Sequence, residues 1–340
     1  TVVVTMIIEI VNRREELYMN KKIHVGLVGL GGRGSGLLSI LVKMEDIVVT
    51  AVSDAYEDRR LNAVDKIESV TGSKPYSTDD YRDILNRKDI DAVIISTSWA
   101  DHIKMAIDTM KAGKYAAIEV GGAYSLDECW QLVKAYEETG VPCMMLENCC
   151  YGRNELMVLN MVKKGVFGEV VHCQGGYRHD LRQEVTEGRE NRHYRLINYM
   201  HRNCENYPTH ELGPIAKILN INRGNRMLAL TSMASKSRGL NDYILRNKGR
   251  QYDLADYVFA QGDVVTTTIR CAHGETIALT LDTTLPRAYS RGFVVQGTKA
   301  MYMEDNNSLF IDGVHNKYEF SWNEQWNNME KYREQYDHPL

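Results

Sequence analysis

The chain has 340 residues, 44% of them hydrophobic, and a net charge of −4. That length suits two domains with a sizeable core, and the slightly acidic balance without a long basic run argues against nucleic acid or acidic membranes as partners. Seven scattered cysteines, two of them adjacent at Cys149 and Cys150, suit neither a disulfide framework nor a zinc site, so reduced thiols and no metal are expected.

At the N-terminus, TVVVTMIIEI is apolar but too short to span a membrane. The charged NRREE follows it, and no secretory signal is recognisable. A cytoplasmic setting with no membrane span is the expectation. Met19, followed by Asn-Lys-Lys, looks like a natural start, so residues 1–20 read as an extension. The next stretch, IHVGLVGLGGRGSG, is a buried strand running into a glycine turn and a helix. Gly29, Gly31 and Gly34 fall on the G-x-G-x-x-G spacing, with Gly32 and Arg33 inside it. The first glycine allows a tight turn, the second lets backbone approach a pyrophosphate, and the third lets helix pack on strand. Asp54 ends the following apolar run, about 20 residues beyond the last glycine, where a carboxylate takes ribose hydroxyls. It would repel a 2′-phosphate, which favours NAD over NADP; Arg59 and Arg60 just beyond weaken that preference.

Apolar runs at 47–52, 92–95, 115–118 and 143–146 alternate with helical stretches. Ile103, Ala106, Ile107 and Met110 recur at helical spacing. Ser125 and Glu128 form a capping box, and Leu126, Trp130 and Val133 are expected as the buried stripe of the helix that follows. This alternation predicts an α/β fold with a doubly wound parallel sheet over 21–150, a Rossmann domain with ligands beyond the carboxyl ends of its strands. After Glu147 the texture changes. A helix is predicted over 154–164, then strands at 168–177, 226–235, 264–270, 276–282 and 291–296, with a hairpin around 305–307. These segments predict a second α+β domain over 151–340 built on an open, mostly antiparallel sheet. Between the first two strands, 178–207 is long, polar and rich in Arg, His and Tyr, as functional loops are.

Chemistry-bearing residues cluster at the predicted strand ends. In STSWADH, Trp99 and His102 either wall the nicotinamide side of a cleft or serve as a packed Trp and a capping His. Glu119 ends the fifth strand, within reach of the nicotinamide ribose or the substrate. Glu147 and Asn148 end the sixth, a polar pair at the binding edge. Tyr177 closes the first strand of the second domain, and NYPTHELGP carries Tyr207 and His210. Histidine titrates near neutral pH and is the usual general base, although a His ahead of a helix is more often structural. Arg195 suits an anionic or amide oxygen, or a surface charge.

The glycine turn, STSWADH, AGKYAAIEV and GVFGEV together resemble the glucose–fructose oxidoreductase-like (Gfo/Idh/MocA) family, from Ile23 to about Asp312. Within it, MMLENCCYGR, GGYRHDLR, HYR, NYPTH-x-LGP and INRGNR look like the NAD-dependent α-N-acetylgalactosaminidases, glycoside hydrolase family 109. The resemblance implies that Glu147, Tyr177, Arg195, Tyr207 and His210 line a sugar site, with Asn148 beside them, and that the second domain mediates a homo-oligomer. It implies His210 as the base near the C3 hydroxyl, Tyr207 orienting it and Tyr177 moving the C2 proton or aiding departure at C1, with the last and first roles exchangeable. Three departures stand out. Oxidoreductase relatives carry Glu-Lys-Pro where this chain has Glu119-Val120-Gly121, and dehydrogenases often place aspartate where Asn206 stands. Glu211 occupies a position where glycine is expected in the glycosidases, and a carboxylate there would alter which sugar fits. The chain also ends in DHPL where the family is expected to continue.

The implied chemistry is redox elimination, an exception to the two-carboxylate glycosidases. Oxidation at C3 acidifies C2–H, elimination expels the C1 substituent, water adds at C1, and hydride returns to C3. NAD would then stay bound and be recycled each turnover. Two other readings remain: an NAD-dependent sugar or cyclitol dehydrogenase on the same fold, and a non-catalytic NAD-binding relative.

Overall fold

A computed structural model describes residues 22–315 and 325–340; the expected extension at 1–20 lies outside them. The chain divides into two compact units, with the boundary between Leu146 and Glu147, four residues ahead of the expected one.

In the first unit, strands and helices alternate as predicted: β1 (Ile23–Val28), α1 (Gly32–Leu41), β2 (Ile47–Ser53), α2 (Glu57–Thr71), β3 (Tyr76–Thr78), α3 (Tyr81–Asn86), β4 (Ala92–Ile95), α4 (His102–Lys111), β5 (Tyr115–Ile118), α5 (Leu126–Thr139) and β6 (Cys143–Met145). The six strands are parallel, in the order β3-β2-β1-β4-β5-β6. The order reverses between β1 and β4, which opens a crevice at the carboxyl end of β1. Short β3 was not expected; at three residues it carries too little pattern to be read. Ile103, Ala106, Ile107 and Met110 are buried against the sheet, as their spacing predicts.

Helix α5 corrects an expectation. Leu126, Trp130 and Val133 are 81%, 71% and 46% exposed rather than buried. The helix turns Leu132 and Ala135 inward instead. Two apolar rows share this helix, and periodicity alone does not choose between them. Ser125 does cap it, accepting from the Glu128 amide at 3.2 Å, while Glu128 reaches back to the Tyr124 amide.

The second unit begins with α6 (Arg153–Lys163) and β7 (Val170–Arg178). The expected long loop at 178–207 contains two short helices, α7 (Arg182–Thr186) and α8 (Arg195–His201). Then come α9 (Thr209–Ile218), β8 (Met227–Ala234), α10 (Gly239–Asn247), β9 (Val264–Cys271), β10 (Thr276–Asp282), β11 (Val294–Gly297), β12 (Ala300–Met303), β13 (Ser308–Ile311) and α11 (Arg333–Tyr336). The sheet runs β13-β12-β11-β7-β10-β9-β8 and is antiparallel except where β7 lies parallel to β10. Strands β9 and β10 bury alternate residues, so one face of the sheet meets α6 and α9 in the main core. Among the described residues, no helix is long and apolar enough to cross a membrane.

Candidate functional site

The glycine turn between β1 and α1 is shaped by close approach. Gly29 has φ +88°, and a Cβ there would lie 2.6 Å from the Ser96 carbonyl carbon and oxygen. At Gly34 a Cβ would collide with the Gly29 carbonyl oxygen, so only glycine lets α1 pack this near β1. Gly32 has open space beside it, and Gly31 faces only the Arg59 guanidinium. No side chain caps α1, and no acidic residue sits in its first turn. Its leading N–H groups are thus available to an anion, as a pyrophosphate requires.

Asp54 holds this turn from the next strand. Its carboxylate accepts from the Leu30 amide at 2.7 Å and the Tyr56 amide at 2.9 Å. A carboxylate accepts about four hydrogen bonds, which leaves capacity for a ribose diol. Both neighbouring arginines are engaged: Arg59 lies 3.7 Å from the carboxylate and over the Tyr56 ring, and Arg60 donates to the Asp54 carbonyl. These residues fit NAD.

The other strand-end residues of this unit are tied to each other. Arg33 donates to Glu119 at 2.7 Å. Trp99 and His102 are buried, and the His102 ring lies 3.2 Å from the Thr97 carbonyl, with its pKa lowered by burial. The Trp99 indole covers Gly121, which sits at φ +119° where any Cβ would strike the ring. The proline of the Glu-Lys-Pro pattern has no place at that backbone angle.

In the second unit, five residues from distant segments meet. Glu147 caps the turn at 148–151, accepting from the Cys149 amide at 3.0 Å. The same oxygen pairs with His210 Nδ1 at 2.8 Å, near the start of α9. Gly175 and Gly176 let β7 pack closely against α9 and β10 beside this pair. A Cβ at the first would press on Glu211 at 2.5 Å, and one at the second would strike the Thr280 backbone. Tyr177 follows at once, and its ring lies 4.5 Å from Tyr207 and 5.4 Å from His210; Tyr207 meets His210 edge-on at 4.8 Å. Arg195, at the start of α8, spreads its guanidinium over Tyr207 and Tyr177 at 5.1 and 5.9 Å. Arg195 is buried, so it is no surface charge, and Glu184 holds its Nε at 3.0 Å.

The electrostatics follow from burial. Burial pushes Glu147 upward, but the His210 hydrogen bond and charge, the Thr209 hydroxyl and the Cys149 amide outweigh it and hold the carboxyl below its usual range. An ionised Glu147 can only accept, so His210 Nδ1 donates, and in the neutral imidazole the lone pair then lies on Nε2. Burial raises both Tyr177 and Tyr207, with Arg195 pulling the other way on each. Asn148 has its amide near the Cys149 sulfur at 3.8 Å, and Asn206 donates to Gln261 at 3.2 Å.

The structure adds residues that sequence reasoning did not single out. His179 Nδ1 shares a hydrogen bond of 2.9 Å with the Tyr177 hydroxyl, and Tyr289 stands edge-on to both rings. His179 lies inside the GGYRHD motif, so its signal was in view; Tyr289 and Glu184 had none. Behind the site, Arg291 gathers three carboxylates: Glu155, Glu211 at 3.4 Å and Glu304 at 2.9 Å. Glu211 is fully buried, and burial raises its pKa well above the ordinary carboxyl value despite Arg291. Glu211 is therefore buried in the packing under β7 rather than open to solvent.

Both units match known families. Residues 23–147 match the oxidoreductase family, NAD-binding Rossmann fold, and residues 151–340 match the glycosyl hydrolase 109 C-terminal domain. A glycosyl hydrolase family 109 protein of Shewanella sp. (strain MR-4) is 41% identical over 323 residues, 94% of this chain and 70% of that protein. Its counterpart in Stenotrophomonas maltophilia (strain K279a) is 38% identical over 344 residues, 94% of this chain and 74% of that protein. The chain belongs to glycosyl hydrolase family 109. Its fold is also that of a myo-inositol 2-dehydrogenase from Lactobacillus plantarum (TM-score 0.65, 14% identity, 84% of this chain and 76% of that one). The scyllo-inositol dehydrogenase of Lactobacillus casei, solved with NAD(H) and scyllo-inositol, matches with the same values. In this family 109 chain the NAD-binding Rossmann unit is thus joined to a second unit whose five expected sugar-site residues form one cluster.

Proposed function

We propose that the chain is an NAD-dependent glycosidase releasing terminal α-N-acetylgalactosamine, or a related hexose, by transient oxidation at C3. The observation that carries this reading is the convergence of Glu147, Tyr177, Arg195, Tyr207 and His210 in a family 109 chain. When bound at the glycine turn, NAD would supply a reversible acceptor for the C3 hydride. The protein's own residues move protons and hold the sugar. His210 Nε2, freed as an acceptor by the Glu147 bond to Nδ1, takes the proton of the C3 hydroxyl. Glu147 is buried, so it acts by orienting this imidazole, and Tyr207 packs the ring in place. Tyr177 and His179 form a hydrogen-bonded pair that carries the proton from C2 or to the departing C1 oxygen. The roles of Tyr177 and His210 at C2 and C3 can be exchanged on the same geometry. Arg195 supplies a planar set of donors for the acetamido oxygen, and Asn148 completes the sugar site.

In this reading NAD is tightly held and recycled, so turnover needs none added. A homo-oligomer completes it, with a second copy covering Leu228, Leu230 and Met233 on the exposed edge strand β8, to be checked by sedimentation velocity. The deciding experiment is hydrolysis of an aryl α-N-acetylgalactosaminide in deuterated water. Deuterium is expected at C2 of the released sugar; its absence with turnover intact would establish direct displacement instead. Net NADH accumulation with free sugars or cyclitols, and no glycoside cleavage, would favour a dehydrogenase.

A further inference from the structure

Three donors of different chemistry meet beside the acid–base pair. Among the described residues, Glu147, Cys149 and His210 bring a carboxylate oxygen, a thiol sulfur and a ring nitrogen all within 4.8 Å of one another. Glu147 is 5% exposed and Cys149 6%, and the second Glu147 oxygen is buried with no hydrogen-bond partner. Water therefore competes weakly for these donors, and one of them has acceptor capacity unused.

We propose that Glu147, Cys149 and His210 form an inhibitory site for a borderline-soft divalent cation, with Zn2+ the best match. Oxygen, nitrogen and sulfur together suit zinc better than magnesium or calcium, which take oxygen alone. Zinc bonds of about 2.0–2.3 Å in a tetrahedron set donors about 3.5 Å apart. The side chains reach that spacing by closing in on the metal while the Glu147–His210 contact opens slightly. The bond changes are simple. Zn–S forms as the Cys149 S–H bond breaks, and its proton leaves to solvent. Zn–N and Zn–O replace the N–H···O bond between His210 Nδ1 and Glu147, and the Nδ1 proton passes through solvent to Nε2, so the ring stays neutral and only the thiol proton is released. With the metal on Nδ1, the ring must carry its proton on Nε2 and no longer offers a lone pair there. A fourth position on the metal stays open to water or a sugar hydroxyl. The inhibition, though not the binding, rests on the function proposed above.

The test uses the full chain in two arms. In the first, Co2+ alone is titrated into the protein, and a thiolate-to-cobalt charge-transfer band in the near ultraviolet is expected at one equivalent. Cys149→Ser should abolish the band and weaken Zn2+ binding by at least roughly 100-fold in calorimetry, while Cys129→Ser, on the surface, should change neither. No band in the unaltered protein, or a band that survives Cys149→Ser and Cys149→Ala, would overturn the site. In the second arm, Zn2+ is expected to inhibit glycoside hydrolysis, with Cys149→Ser resistant when each protein is compared with its own zinc-free turnover. If no glycoside is cleaved at all, the function fails and the cobalt arm still decides the metal site. Equal inhibition of both proteins would mean that zinc acts elsewhere.

Discussion

The two units build their sites in opposite ways. The nucleotide turn of the first is local: Gly29 through Gly34 and Asp54 lie within 26 residues and are positioned by close backbone approach and the Asp54 carboxylate. The sugar-site cluster of the second is assembled across the chain, since Glu147 meets its partner 63 residues later, Tyr207 comes with that partner, and Tyr177 and Arg195 come from two further segments. A local turn depends on the absence of side chains; an assembled cluster depends on side chains satisfying each other in a buried place. Substitutions should therefore act differently in the two regions.

The largest effect is expected in the assembled site. His210→Ala should lower kcat by about 10²–10⁴-fold, as loss of a general base does. Glu147→Gln keeps the shape but removes the ionised acceptor, and it should cost on the order of 10²-fold or more through the imidazole. NAD affinity, read by fluorescence titration, should be unchanged in both. If Glu147→Gln weakened NAD binding as much as turnover, the two regions would not be independent and the comparison would fail.

A smaller effect comes from the segment that delivers Tyr207. Glu205 is pushed up to about 8, because burial outweighs the amides of Leu281 and Tyr207. The folded state then keeps a proton that the unfolded chain releases near pH 4.5, so between those values the unfolded state binds fewer protons. Stability should fall as pH rises from about 4.5 to about 8 and level off above that range. Glu205→Gln cannot ionise and should remove this slope, with the gain greatest above pH 8. Denaturant melts of both proteins at pH 5, 7 and 9 measure it, and parallel stability curves would refute the assignment.

The local turn offers a sharper contrast at lower cost. Gly34→Ala forces a methyl group onto the Gly29 carbonyl and should destabilise the protein by about 1–3 kcal/mol while weakening NAD binding. Gly32→Ala, with nothing within 4 Å, should leave both nearly unchanged. Equal effects at the two positions would mean that spacing, not close packing, makes the turn.

What the sequence disclosed follows the same division. Features carried by short spacing were legible: the glycine turn, the strand alternation, the inward stripe of α4 and the capping serine of α5. The five cluster residues stood out singly at strand ends and in polar motifs, but their meeting in one site was legible only through resemblance, because no spacing links Glu147 to His210. The adjacent Cys149 and Cys150 suit no zinc motif by spacing, since Glu147 shares the Cys149 segment but His210 comes from a distant one. Arg291 and its three carboxylates carry no periodic signal at all. The parallel pairing of β7 with β10 was equally hidden, because alternation fixes which face is buried but not the direction of the neighbouring strand.

Helix α5 gives the smallest expected effect. Its row of Leu126, Trp130 and Val133 looks like a core stripe in sequence, yet the structure turns Leu132 and Ala135 to the sheet. Side chains this exposed contribute little to folding, so Trp130→Gln should change stability by no more than about 0.5 kcal/mol. A thermal melt compared with Ala135→Gln makes the contrast internal, because Ala135 is buried and an amide has no room there. If Trp130→Gln proved as damaging as Ala135→Gln, the outward row would be covered in solution, and the stripe first read from spacing would be buried by contacts outside the described residues.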